Sequence, residues 1–361
     1  MPVTTSLHER FRGVGRELLD LLSLYDSLSV SGAEWIPVEG SSPVSAAGAD
    51  SSRQVEVYRG VILYAVQGYA ILVSRDGFSD RVEDASVGYI EVSEASKVGV
   101  KVARDSLVSS TAKTLEVSLL HRVAGGGGVD LLLFDGSYES FLGPILVFKG
   151  ELRKASPKLA ERIRGLWEHR LRVLDELYRR ARLAFISKSS GKLNLVKRGG
   201  VRVRYEDREY QVPDFIVVRR ILSSIRPPRP GFLWYENPYM ELKRGECDEV
   251  KRVAPSLSCW YTLTYVLLHP AGKAYQLTTP GRLSREEVGE LVKQLAHVSP
   301  DGYPYPLSVA HHSSRLTRSD FKSLVALLTP ELETGREQLE QTLAIHGEKP
   351  STFKTSTKPR I

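Results

Sequence analysis

Residues 131–137 read Leu-Leu-Leu-Phe-Asp-Gly-Ser, four apolar side chains in an unbroken run that stops on an acid. A short apolar run without alternation suits a strand buried on both faces. An ionised carboxylate gains nothing from such a strand, and taking it out of water costs several kcal/mol unless a partner compensates. Asp135 is therefore expected at the end of a buried strand with something cationic beside it. Gly136 permits a tight turn there, and Ser137 can hydrogen-bond the turn or orient the acid. Taken alone, Asp-Gly-Ser is also an ordinary turn signal.

The surrounding pattern alternates strands and helices. Residues 55–77 alternate apolar and polar positions, interrupted by Gly60 and Gly68, and predict two or three antiparallel strands that 87–95 continue. Helical spacing over 102–123 and, with Pro157 near its start, over 157–183 predicts two helices, the second with an Arg-rich outer face. A buried strand is expected at 183–191, a hairpin at 259–280, and helices at 284–297 and within 304–328. Residues 31–53, rich in Gly, Ser, Pro and Ala, read as loop with one short extended piece. The expected class is α/β: a mixed central sheet flanked by helices, with an N-terminal helix and an irregular insertion. The chain divides into a helical region (1–35), a main domain (36–332) with an excursion or lid around 192–255, and a polar tail (333–361) expected to be disordered.

Composition narrows the classes of function. A hydrophobic share of 42% over 361 residues supports a real core, and a net charge of +7 is compatible with a polyanionic partner. Cys247 and Cys259 fit neither a disulfide framework nor paired zinc-ligand spacing, so both are expected to be reduced core residues. No apolar run reaches the roughly 18 residues of a membrane span, and charges occupy the place of a signal peptide's apolar segment, so a cytoplasmic location is expected. The run Gly125–Gly128 lacks the Lys-Ser/Thr pair and following helix of a phosphate loop.

Glu116 lies on the helix that returns to the strand of Asp135, and Asp50 stands in Gly-Ala-Asp-Ser-Ser just before the β-rich segment. Alone, Glu116 reads as a solvated helix face. Brought together by the sheet, the three acids would form an oxygen-ligand cluster for Mg²⁺ or Mn²⁺. Without a cation such a cluster repels itself and raises its pKa values.

The order Asp50-Ser-Ser, Glu116, Leu-Leu-Leu-Phe-Asp-Gly-Ser, Phe-Ile-Ser-Lys-Ser-Ser (185–190) and Tyr-Pro-Tyr-Pro-Leu-Ser-Val-Ala-His-His (303–312) resembles the NurA family of archaeal and bacterial nucleases over about 45–325. The resemblance implies an RNase H-like core and a Mn²⁺-dependent site in a homodimer around a DNA channel, working with a HerA-type hexameric helicase. By the same resemblance Asp50, Glu116, Asp135 and His311 are metal ligands, Tyr303 sits beside them, and Lys188 contacts phosphate. The family's first acid commonly follows an apolar strand as Asp-Gly-Ser, whereas Ser51 replaces that glycine here; Glu39 and Glu56 are the alternatives. His312 and Lys192 are rivals to His311 and Lys188.

Phosphodiester hydrolysis by two cations needs bridging and terminal carboxylates, and an imidazole ligand favours Mn²⁺ over Mg²⁺. The Arg-rich stretches 157–183 and 219–230 can meet phosphates, with Trp234 and Tyr235 available to stack on bases. Nothing reads a base sequence. The expected function is a metal-dependent DNA nuclease, which the family resemblance implies to be a 5′–3′ exonuclease and single-strand endonuclease that processes DNA ends in double-strand break repair. The alternative is a catalytically inactive clamp or helicase adaptor of the same fold, and an RNA-directed enzyme is a third reading.

Overall fold

The sheet is built on strands whose neighbours in space are distant in sequence. The structure, a computed structural model, describes residues 14–15, 19, 23–57, 60–77, 79–95, 100–143, 156–188 and 192–331. The strands are β1 (Ser29–Ser31), β2 (Ala33–Pro37), β3 (Ala46–Val57), β4 (Val61–Val73), β5 (Ser79–Glu91), β6 (Leu131–Asp135) and β7 (Arg182–Ser187). They are followed by β8 (Arg202–Tyr205), β9 (Arg208–Glu209), β10 (Gly231–Tyr235), β11 (Tyr239–Glu241), β12 (Trp260–Leu267) and β13 (Ala274–Pro280). The large sheet has the order β2-β10-β12-β13-β7-β6-β3-β4-β5, with β11 beside β12, and β1, β8 and β9 form a small second sheet.

Strands β3, β4 and β5 make an antiparallel meander. β6 joins β3 in parallel, and β7 joins β6 in parallel. Parallel neighbours require crossovers. The helices α1 (Val100–Ala124) and α3 (Pro157–Tyr178) lie in those two connections, with the short α2 (Tyr138–Leu142) between them. Further helices are α4 (Asp214–Ser223), α5 (Arg244–Val253), α6 (Arg285–His297), α7 (Tyr305–Ser313) and α8 (Arg318–Glu331).

The run Leu131–Phe134 is fully buried because it is covered twice. Leu132 and Phe134 pack with Val117 and Leu120 of α1 and Trp167 and Leu171 of α3. Leu131 and Leu133 pack with Val288 and Leu291 of α6 and Leu307 of α7 on the other face. Burying a side chain of that size contributes about 1.5–3 kcal/mol.

Several expectations are corrected. The span 31–53 is not loop: Ala46–Val57 is a central strand, and its small residues are there because a helix lies close above them. A Cβ on Gly48 would stand 2.9 Å from Leu307 N and from the Pro306 carbonyl carbon. Within the N-terminal region, residues 23–27 are helical but 29–31 and 33–37 are strands, because β2 pairs with β10; the start of the expected helix lies largely outside the described residues. The segment 192–255 is no lid, since β10 within it is an inner strand of the large sheet between β2 and β12. Tyr235 is buried and its hydroxyl donates to Leu263 O at 2.6 Å, so it offers no stacking face. Cys247 and Cys259 are bonded as a disulfide, because α5 folds back onto the start of β12 and brings their Cα atoms to 5.4 Å. The expected tail, 333–361, lies outside the described residues. Among the described residues no helix is long and apolar enough to cross a membrane.

Candidate metal centre

Alternation along β3 distributes its side chains between two helical layers. Even positions meet the α7–α8 layer: His311 is bonded to Asp50, Ser52 Oγ accepts from Leu316 N at 2.9 Å, and Arg318 lies 3.4 Å from Glu56. Odd positions meet α1: Ser51 Oγ donates to Glu116 Oε1, and Arg53 donates to Ser109 Oγ. β6 pairs with β3 through Ala49↔Phe134 and ends one residue later, while β3 continues to Val57. Asp50 and Asp135 therefore stand side by side where the sheet opens.

Local sequence explains the turn after β6. Gly136 has φ 125°, a conformation that glycine adopts without strain, and its N–H donates to Ile186 O at 2.9 Å. Ser137 is the N-cap of α2, accepting from Ser140 N at 3.2 Å. Asp-Gly-Ser is thus a strand end, a glycine turn and a helix cap in three residues.

The structure brings Asp50, Glu116, Asp135, His311, Tyr303 and Lys188 to this opening. His311 Nδ1 lies 2.6 Å from Asp50 Oδ2. Lys188 Nζ lies 3.2 Å from Asp135 Oδ2, and the Tyr303 hydroxyl donates to the same oxygen at 3.4 Å. Lys188 is the cation expected beside Asp135, and it also lies 5.3 Å from the Tyr303 ring centre. Of the alternatives, Glu39 is exposed beyond β2, Glu56 is engaged by Arg318, His312 Nδ1 faces Ser308 O at 2.7 Å, and Lys192 pairs with Glu139 at 2.7 Å.

The electrostatics are those of crowded, poorly hydrated carboxylates. Burial pushes Glu116 up to about 8, with Asp50 and Asp135 adding to the rise and Ser51 and Lys113 opposing it. Burial also raises Asp50, reinforced by Asp135 and opposed by the bonds from His311 and Ser51. Tyr303 is raised first by burial and then by the two aspartates, so it stays a protonated donor. Among the described residues no three His, Cys, Asp or Glu side chains are grouped tightly enough to hold an ion. Ser51, His311 and Lys188 occupy the carboxylate oxygens instead. By donor type alone, three carboxylates that destabilise one another, with an imidazole at their edge, are the ligands that a divalent cation such as Mn²⁺ takes.

A recess of about 430 Å³, lined by Ser51, Ser52, His311, His312, Arg315 and Leu316, opens beside these groups. A larger one of about 520 Å³ contains none of the six residues, and its walls mix Lys192, Arg198 and Lys243 with Asp105, Glu139 and Glu246. The smaller recess adjoins the acids and is the better place for chemistry. Sequence reasoning missed Ser51 as the partner of Glu116 and Arg315 at the rim. Strand alternation would have revealed the first, had 46–57 been read as a strand.

Known structures share this arrangement of elements. The NurA nuclease from Sulfolobus solfataricus superposes with a TM-score of 0.64 at 19% identity, covering 92% of this chain and 98% of the other. A further NurA structure gives 0.63 at 14% identity, with 93% and 99% covered. NurA bound to dAMP and manganese gives 0.60 at 14% identity, with 92% and 96% covered. No curated protein matches the chain. A NurA domain is matched over residues 44–316, most of the chain and all six residues gathered at the sheet opening, and the protein therefore belongs to the NurA family.

Proposed function

We propose that this protein is a Mn²⁺-dependent deoxyribonuclease that cleaves single-stranded DNA and degrades DNA ends from 5′ to 3′. The observation that carries the reading is the pairing that sets Asp50, within β3, beside Asp135, the last residue of β6, with Glu116 reaching the same opening from α1. The relative solved with dAMP and manganese supports a deoxynucleotide and this ion as ligands. The strand order β5-β4-β3-β6-β7 with two helical crossovers supports the RNase H-like description. Action as a homodimer beside a HerA-type hexameric ATPase, in double-strand break processing in the cytoplasm, rests on the family resemblance.

In this site Asp50, Glu116 and Asp135 would hold the metal, with His311 as the fourth ligand or as a proton carrier. The bound ion would supply an activated water and charge stabilisation at the leaving oxygen; Mg²⁺ is the weaker candidate. The protein's own groups prepare the rest. Ser51 fixes one oxygen of Glu116, and Tyr303 fixes one oxygen of Asp135. Lys188, half exposed, and Arg315 can neutralise the phosphates of the incoming strand. These contacts recognise backbone and not base edges, so cleavage should lack sequence preference and weaken with salt.

The looseness of the acid grouping favours the alternative, an inactive DNA clamp of the same fold. Degradation of end-labelled single-stranded DNA with Mn²⁺ separates the two. The nuclease reading expects cleavage by the native protein, and none by Asp135→Ala at undiminished DNA binding. Absence of metal-dependent cleavage by the native protein, alone and with its hexameric partner, would leave the clamp.

A further inference from the structure

Arg170 on α3 is fully buried, flanked along its helix by Trp167, Leu171 and Leu174. Among the described residues no hydrogen-bond acceptor meets its Nε, Nη1 or Nη2. A guanidinium kept from water with its donors unpaired is costly and persists only where a nearby counter-charge compensates. The helices place one there. α1 and α3 run in parallel, tied by Thr114 Oγ1 donating to Leu166 O at 3.1 Å, Ser118 Oγ 3.3 Å from His169 Nε2, and His121 Nε2 3.0 Å from Glu176 Oε2. That register lays the turn of α3 from Leu166 to Arg170 against the turn of α1 from Thr114 to Ser118, which carries Glu116 and is preceded by Lys113. Lys113 donates to Ser140 O and lies 5.0 Å from the Phe141 ring. The favourable charge acting on Arg170 is that of Glu116, and Arg170 and Lys113 repel one another.

We propose that Arg170, seconded by Lys113, is a positioning residue for Glu116: two buried cations behind α1 hold this carboxylate as their shared counter-charge and keep it turned toward Asp50 and Asp135. Among the described residues Glu116 is the anion acting on Arg170, and Lys113 is a neighbouring cation that Arg53 also repels, with Ser51 holding the far side of the carboxylate. The inference rests on the metal-centre reading for its consequence in metal binding, and stands without it for the charge relationship.

The test is a mutant cycle on the full chain. Unfolding midpoints are measured in chelator for the native protein, Arg170→Met, Glu116→Gln and the double variant. Each single change should lower the midpoint, and the double variant should recover much of the loss, because neither charge is then buried alone. Purely additive losses overturn the proposal. Calorimetric titration with Mn²⁺ gives the second readout: Arg170→Met should weaken affinity about 10–100-fold, as loss of outer support for a ligand does, and Arg170→Lys should restore most of it. Unchanged Mn²⁺ affinity in Arg170→Met also overturns it. Failure of the native protein to bind Mn²⁺ sinks the metal-centre reading instead, and the chelator cycle then decides the charge relationship by itself.

Discussion

Asp50 and Ser51 are consecutive on β3 and serve opposite faces of the sheet, the first engaged by His311 of α7 and the second donating to Glu116 of α1. Strand alternation thereby ties both helical layers to one point. Ser51 also donates its backbone N–H to Asp50 Oδ1 at 2.8 Å, so a single residue orders two acids.

Ser51→Ala should therefore loosen Glu116 while sparing the fold. Loss of a ligand's hydrogen-bond partner typically costs about 10–100-fold in metal affinity or activity. The Mn²⁺ concentration giving half-maximal cleavage of single-stranded DNA should rise by that order, with the unfolding midpoint nearly unchanged. An unaltered metal requirement would remove Ser51 from the site.

Mn²⁺ should also stabilise the protein against heat. Asp50 and Glu116 are both raised by burial and by neighbouring acids, and a bound cation removes that penalty. Ligand at a hundred times its Kd stabilises by about 2.7 kcal/mol. Calorimetric melting with and without Mn²⁺ should show an upward shift of the midpoint. Asp135→Asn should melt at the same temperature in both conditions.

Gly48 controls how closely α7 approaches the sheet. A methyl group there would meet the backbone of Pro306 and Leu307 at 2.9 Å, and backbone cannot rotate aside. Gly48→Ala should lift the helix that carries His311 away from Asp50. Overpacking costs about 1–3 kcal/mol, and a small misplacement near chemistry lowers turnover by on the order of tenfold or more. Cleavage rates should fall further than the melting temperature suggests, and a variant that loses stability but keeps its rate would contradict this coupling.

The parts of the fold legible in sequence are those where one side chain type dominates. Leu131–Asp135, with its buried apolar run, and α3, with its cap and 3.6-residue spacing, could be read locally. So could the acid at the end of β6. β3 could not, because Ala46, Ala47, Gly48 and Ala49 carry no branched or aromatic signal; they are small because helices press on both faces. β10 was hidden by the prolines around it, and its membership of the large sheet depends on β2 and β12, which lie far away in sequence. Tyr303 and His311 were identified by resemblance. Their approach to Asp135 and Asp50 follows from α7 crossing β3, which no local pattern encodes.

The disulfide between Cys247 and Cys259 closes the connection from α5 to β12, and Cys259 is nearly buried. A loop of roughly this length constrains the unfolded chain by about 3 kcal/mol in the chain-entropy account. α5 carries Val250 as its buried anchor, so the covalent link supplements a small apolar contact. The Cys247→Ser, Cys259→Ser double variant should melt several degrees lower, and the native protein in strong reductant should match it. Among the described residues the cysteines are bonded to each other and the carboxylates to Ser51, His311, Lys188 and Tyr303, so Mn²⁺ affinity should remain as in the native protein. Equal melting of oxidised and reduced protein would mean that α5 is held by packing alone.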